Sequence, residues 1–277
     1  MIVVTGATGN VGRALVGRLV AAGAPVRALT RAPERAALPG RAEVVKFRPD
    51  GLAALFEGAD KVFLYVQGAG GRMPELLDAA RAAGVRQAVL LSSGIIREGA
   101  DETHPIHAMH ATAERQIRDS GLAWTFLRPN AFAVNALQWA PQIRSGNTVR
   151  GVFADMLTAP VHEDDIAAVA ARALLDDGHE GAAHRLTGPA ATTNTGQIAA
   201  IGAAVGRDLA FVEVEPEEAG PLLFPRTPPE LVRGLLRTFA DTVGVAPEIT
   251  TTVQEITGSP ARTFGQWAED HAADFQP

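Results

Sequence analysis

The sequence predicts an α/β protein built on a doubly wound parallel sheet, and three observations carry that prediction. The chain opens on a β-branched apolar run, Ile2-Val3-Val4, which breaks into a glycine-rich turn and then a helical pattern. Apolar runs and helical stretches then alternate as far as Pro129. The runs are apolar almost throughout rather than at every second residue, the pattern of strands covered on both faces. Right-handed crossovers wind such a chain into a Rossmann-type sheet.

Each element follows from its own residues. After the turn Gly6-Ala7-Thr8-Gly9-Asn10-Val11-Gly12, Arg13 to Val20 reads as the first helix. Pro25 to Arg31 is the second strand, Ala42 to Phe47 the third, and Leu52 to Phe56 a helical turn. Lys61 to Val66 is the fourth strand, and Met73 to Ala83 a helix stopped by Gly84. Gln87 to Ser93 is the fifth strand, Pro105 to Ser120 a long helix, and Ala123 to Pro129 the sixth strand.

Past Pro129 the regularity loosens. Phe132 to Ala140 reads as a short helix, and Thr158 to Val161 as a short or edge strand because proline removes a ladder donor. A helix from His162 to Leu175 starts with acids that suit its N-terminal dipole. Ala183 to Leu186 and Leu209 to Val214 read as strands around a helix, Asn194 to Val205. Glu215 to Pro229 is rich in proline and acid, a lid or connector, and Pro229 to Thr242 and Thr263 to Asp274 are helices. The expected division is 1–155 as a nucleotide-binding domain and 156–277 as a smaller α/β substrate-binding region, partly interleaved with the sheet.

Composition narrows the function classes. A hydrophobic fraction of 47% and a charged fraction of 20% over 277 residues fit a globular chain with a substantial core. A net charge of −6 with no basic run argues against nucleic acid. The absence of cysteine excludes disulfides and thiol chemistry. No apolar run approaches the ~20 residues that cross a bilayer. A strand starting at residue 2 leaves no room for a signal peptide, so the expected location is the cytoplasm.

The opening turn carries the first candidate site. Strand, glycine-rich turn and helix in that order are the context of a dinucleotide fingerprint. Gly6 permits the sharp turn, Gly9 the approach of a pyrophosphate, and Gly12 close packing of helix on strand. Thr8, Asn10 and Val11 complete the cradle, with the pyrophosphate on the helix N-terminus. Arg31 falls 19 residues after Gly12, at the end of the second strand. An acid there would bind the ribose of NAD; an arginine suits the 2′-phosphate of NADP, so NADP(H) is favoured over NAD(H). Arg35 either assists or faces solvent, and Asp50 either meets the adenine edge or caps a turn.

Other candidates lie where strands end, the edge at which open α/β sheets bind ligands. Gln67 follows the fourth strand, near the nicotinamide-side ribose, while Tyr65 packs in the core. Ser92 and Ser93 end the fifth strand, where either hydroxyl can bond a substrate carbonyl or cap a turn. Pro129, Asn130 and Phe132 follow the sixth. Phe132, Asn135, Trp139, Met156 and His162 are candidates for a substrate wall or for core. His107, His110 and Glu114 stand at helical spacing and share a face. The spacing of His104, His107 and His110 fans the first and last around the helix, so no metal site is expected.

These motifs, with Ser92-Ser93, Glu114, Ser120 to Asn130, Asp164-Asp165-Ile166 and Ser259 to Trp267, resemble the NmrA-like family. That family is an atypical branch of the short-chain dehydrogenase/reductases and includes NADPH-dependent quinone oxidoreductases as well as non-enzymatic redox sensors. The wider superfamily uses a Tyr-x-x-x-Lys pair on the helix after the fifth strand. This chain has one tyrosine, Tyr65, and two lysines, Lys46 and Lys61, so the pair is absent. Alignment to the family puts His110 where the lysine stands, to hold the ribose or donate a proton, with His107 beside it.

The resemblance implies an NADPH-dependent oxidoreductase passing hydride to a quinone or a conjugated or keto compound, with His110, His107 and Ser92 as catalytic candidates. Two alternatives stand beside it: a non-catalytic NADP(H)-binding sensor, and a non-redox isomerase or cyclase. The expected partner is a small-molecule substrate, with neither nucleic acid nor membrane, and the chain a monomer or homodimer.

Overall fold

The computed structural model describes the chain except for Pro49, Pro225, Arg226, Pro228, Asp241 and Pro277, with backbone alone at Ala219, Pro221, Leu231 and Thr238. In chain order the elements are β1 (Ile2–Val4), α1 (Asn10–Ala21), β2 (Val26–Thr30), β3 (Glu43–Lys46), α2 (Leu52–Leu55), β4 (Lys61–Tyr65), α3 (Met73–Ala82), β5 (Gln87–Leu91), α4 (Pro105–Asp119) and β6 (Ala123–Pro129). They continue with α5 (Ala140–Ser145), β7 (Thr148–Gly151), β8 (Leu157–Thr158), α6 (Glu163–Leu175), β9 (Ala182–Leu186), β10 (Thr192–Thr193), α7 (Asn194–Val205) and β11 (Ala210–Glu213). Last come α8 (Pro216–Leu223), α9 (Pro229–Ala240), α10 (Thr252–Thr257) and α11 (Phe264–Asp270).

The chain packs as two compact units. The first holds Met1–Asn130, Glu163–Leu186 and Thr252–Ser259; the second holds Ala131–His162, Thr187–Thr251 and Pro260–Pro277. The sequence places its division between 155 and 156, whereas packing carries Glu163–Leu186 into the first unit. The reason is pairing: β9 adds to β6, with Leu127 beside His184, and α6 packs on α1.

The first unit is one parallel seven-stranded sheet in the order β3-β2-β1-β4-β5-β6-β9. The predicted α/β class and doubly wound order are therefore observed. All five residues of β5 are buried, which is why its sequence does not alternate. Phe63, Leu64, Leu90 and Phe126 are fully buried among the helices that cover the sheet. Small residues of α6, Ala167 and Ala170, are fully buried too, and α6 lies against α1.

In the second unit, 3-10 turns Ala133–Trp139 and α5 replace the single short helix expected there. Pro160 lies beyond β8, which pairs antiparallel with β10, and β7 pairs parallel with β11. The expected connector from Glu215 to Pro229 contains the helix α8, because Pro216 opens it at a position whose N–H has no helical partner. Pro225, Arg226 and Pro228 of that stretch lie outside the described residues. The core gathers on Trp267, which stacks on Phe264 and His271 and meets Phe275 edge-on. A capping box between Thr263 and Gln266 starts α11 just before it.

Candidate functional site

Strand order reverses between β1 and β4, so the two glycine-bearing loops that follow these strands face one crevice. Gly6 turns with a φ of 62°, open to glycine at little cost. A Cβ on Gly12 would overlap the Gly6 carbonyl oxygen, and one on Gly9 would sit 3.3 Å from that oxygen. The turn is therefore as tight as side-chain-free residues allow. Gly9 caps α1 without any side-chain hydrogen bond, and no acid occupies the first turn. The first N–H groups of α1 and its positive dipole end are thus left for an anion, and the cradle fits a dinucleotide pyrophosphate. Gly9 and Asn10 are exposed, Val11 and Gly12 buried, and the Thr8 hydroxyl lies 3.3 Å from that of Thr30.

Thr5 ties the two loops together. Its hydroxyl donates to the Phe63 carbonyl at 3.1 Å and accepts from the Tyr65 N–H at 2.9 Å. The Tyr65 ring packs against Gly6, and burial pushes its phenol above the ordinary tyrosine range. Gln67 is exposed on the following 3-10 turn. Arg31 is exposed directly after β2, and Asp50 is exposed in the turn before α2. Sequence reasoning missed Arg13: its guanidinium donates to the carbonyls of Ala36 and Ala37 at 2.9 and 2.8 Å, fixing the loop that follows Arg31.

The ends of β5 and β6 meet closely. The Gly94 N–H donates to the Pro129 carbonyl at 2.7 Å, and a Cβ on Gly94 would collide with the Asn130 side chain. Asn130 Oδ1 in turn accepts from Arg185 at 3.4 Å. Gly94 carries no signal along the chain, because its role depends on the neighbouring strand.

Helix α4 buries His107, His110, Ala113, Glu114 and Ile117 on one face, as their spacing predicts. His104 is its cap, accepting from the Ile106 N–H at 3.2 Å. Glu114 is only 1% exposed. It accepts the Ser92 hydroxyl at 2.7 Å, Arg128 at 2.9 and 2.6 Å, and Arg118 at 3.1 Å. Arg128 is the partner that sequence reasoning overlooked. A guanidinium within a buried strand was the signal, because such a charge needs a buried acid. His110 Nδ1 is buried without a hydrogen-bond partner among the described residues. Burial holds its imidazole below the ordinary histidine range, with Glu114 opposing.

The second unit holds a cavity of about 110 Å³. Phe132, Asn135, Trp139 and Met156 all line it, so four of the five wall candidates come together. Phe132, also a cofactor candidate, belongs to this unit. His162 is buried elsewhere in the unit, 3.3 Å from Asp270.

A family profile described as NAD(P)H-binding matches residues 6–177. The chain belongs to the NAD(P)H-binding family. Its fold is shared with NmrA, one crystal structure of which superimposes with a TM-score of 0.75 at 19% identity, over 99% of this chain and 96% of that one. The (4-alkanoyl-5-oxo-2,5-dihydrofuran-3-yl)methyl phosphate reductase of Streptomyces griseus subsp. griseus is 42% identical to this chain, covering 100% of both chains. The NAD(P)H azoreductase of Xenophilus azovorans is 34% identical over 99% of each. The crystal structure of an NADPH-dependent quinone oxidoreductase from Escherichia coli superimposes with a TM-score of 0.78 at 25% identity, over 98% of this chain and 99% of that one. Among the described residues no helix is long and apolar enough to cross a membrane.

Proposed function

We propose that this chain is an NADPH-dependent oxidoreductase that reduces a quinone or another conjugated or keto small molecule. The observation that carries the reading is the side-chain-free cradle of Gly6, Gly9 and Gly12 at the strand-order reversal, followed by Arg31 at the end of β2. The relatives act, by their names, on a dihydrofuranone, an azo compound and a quinone. All three are electron-poor conjugated acceptors.

Gly6 to Gly12, with Thr8, Asn10 and Val11, hold the pyrophosphate, and Arg31 pairs with the 2′-phosphate of the adenosine ribose. Arg13 keeps the loop after Arg31 in one conformation. Asp50, Gln67, Ser92, His110, Pro129, Asn130 and Phe132 complete the set proposed to line the cofactor. Bound NADPH supplies the hydride. His110 is the proposed hydrogen-bond donor to the ribose or to the substrate oxygen: burial favours its neutral form, which keeps one N–H to donate, and water supplies the proton. His107 stands one turn away on the same buried face as an auxiliary. A conjugated acceptor suits a site lacking the Tyr/Lys pair, because it needs less acid catalysis than a simple ketone. A cytoplasmic monomer or homodimer is part of the same reading.

The test titrates the purified protein with NADPH and NADH by nicotinamide fluorescence, then adds a quinone panel. Preferential NADPH binding with oxidation on adding quinone supports the reductase. Binding without oxidation by any acceptor would turn the reading to a redox sensor, which the missing Tyr/Lys pair favours. No binding of either cofactor would overturn it.

A further inference from the structure

The walls of the cavity in the second unit carry a chemical preference. Five aromatic rings line it, from Phe132, Trp139, Phe211, Phe224 and Phe239, and no charged side chain does among the described residues. Four neutral amides also line it, from Asn135, Gln138, Asn194 and Gln197, and two of them are committed to the protein. Asn194 Nδ2 donates to the carbonyls of Val152 and Phe153, both at 3.1 Å, and Gln197 Nε2 donates to Thr158 Oγ1 at 3.1 Å. Thr158 accepts that bond and keeps its own proton, so the wall offers a neutral hydroxyl donor.

The wall is also held in shape. Phe153 adopts a φ of 54°, rare for an aromatic residue, and its backbone is gripped from both sides. Its N–H donates to Glu213 at 2.9 Å and its carbonyl accepts from Asn194. Strain kept this way gathers at ligand clamps, and here it fixes the loop between the wall residues Val152 and Met156. The volume is of the order of the ~150 Å³ that accommodates a benzene ring, so one flat ring fits.

We propose that this cavity binds an uncharged conjugated ring, with the Thr158 hydroxyl donating to its carbonyl oxygen, and rejects an anionic ester of the same ring. The inference rests on the reductase reading and narrows its substrate class. It sets this chain apart from its 42% identical relative, whose name specifies a phosphate ester. A dianion placed among these rings would lose its hydration, and no lining residue among those described offers a cation to replace it.

A matched pair of single rings tests it: 1,4-benzoquinone and 1,4-benzoquinone-2-sulfonate. Dissociation constants come from quenching of tryptophan fluorescence without cofactor, with Trp139→Phe to assign the signal. The neutral quinone is expected to bind at least tenfold more tightly. Thr158→Val should weaken it about three- to tenfold, and Asn135→Arg should move the preference toward the sulfonate. Equal or tighter binding of the sulfonate by the wild type would overturn the inference. So would binding of the neutral quinone that neither Thr158→Val nor Trp139→Phe alters. NADPH titration in parallel separates the two claims: a protein that binds NADPH and reduces only anionic acceptors loses this inference and keeps the reductase reading.

Discussion

Ser92 Oγ donates to Glu114 Oε1 across 2.7 Å, joining the end of β5 to the buried face of α4. The carboxylate also takes Arg128 from β6 in a two-pronged contact and Arg118 from its own helix. One acid therefore ties two strand ends and a helix together beside the edge that carries the proposed site. Arg118 lies in turn over the stacked rings of Trp124 and Phe126.

Removing that acid should be severe. Glu114→Ala leaves Arg128 and Ser92 without their buried partner and is expected to cost about 3–5 kcal/mol of stability. Arg118→Ala removes a partner that is 42% exposed and should cost less than about 1 kcal/mol. Urea unfolding of the two variants checks the contrast; equal losses would refute the central role of the buried pair.

Gly12→Ala should damage both folding and binding. The added methyl meets the Gly6 carbonyl and the Ala7 Cα, so the turn must move. Overpacking of this kind costs about 1–3 kcal/mol. NADPH affinity should fall at least tenfold, measured by fluorescence titration on whatever fraction remains folded. Gly17→Ala is the control, since a Cβ there meets nothing within 4 Å.

Cofactor preference should rest on Arg31. Arg31→Ala is expected to weaken NADPH about ten- to hundredfold, the value of charge-assisted bonds to a phosphate, and to leave NADH nearly unchanged. Titration with both cofactors decides it, and an equal loss for both would remove Arg31 from the 2′-phosphate. Arg13→Ala should act in the same direction but more weakly, by releasing the Ala36 and Ala37 carbonyls.

Acid should destabilise the protein through two histidines. Burial lowers the pKa of His110, and burial together with nearby His179 lowers that of His184. In the window between the folded value and the unfolded value near 6.5, the unfolded chain binds more protons. The contribution of each is thus fully present above about pH 6.5 and is lost as pH falls through the window. Unfolding free energies measured from pH 5 to 8 should fall on the acid side, and His110→Gln and His184→Gln should each flatten that fall.

Much of this was legible in residue order. Ile2 to Gly12 spells strand, turn and helix, and the burial of all of β5 shows why its apolar run does not alternate. The face shared by His107, His110 and Glu114 follows from helical spacing alone. What escaped depends on partners far away in sequence. Arg128 finds its acid fourteen residues back, and Gly94 is required by Asn130 on the adjacent strand. Helix α8 escaped because a proline-rich composition reads as a connector, although proline at a first helical turn is well tolerated.

Residue order alone is enough to specify the parallel α/β fold and the glycine cradle. Those features are local: a turn without side chains, a run of β-branched residues, a helical period. Long-range packing is what assigns Glu163–Leu186 to the first unit, gathers Ser92 and Arg128 on Glu114, and sets Phe132, Asn135, Trp139 and Met156 around one cavity. The physical reason is that burial and pairing are settled by contacts between distant segments, which no spacing along the chain records.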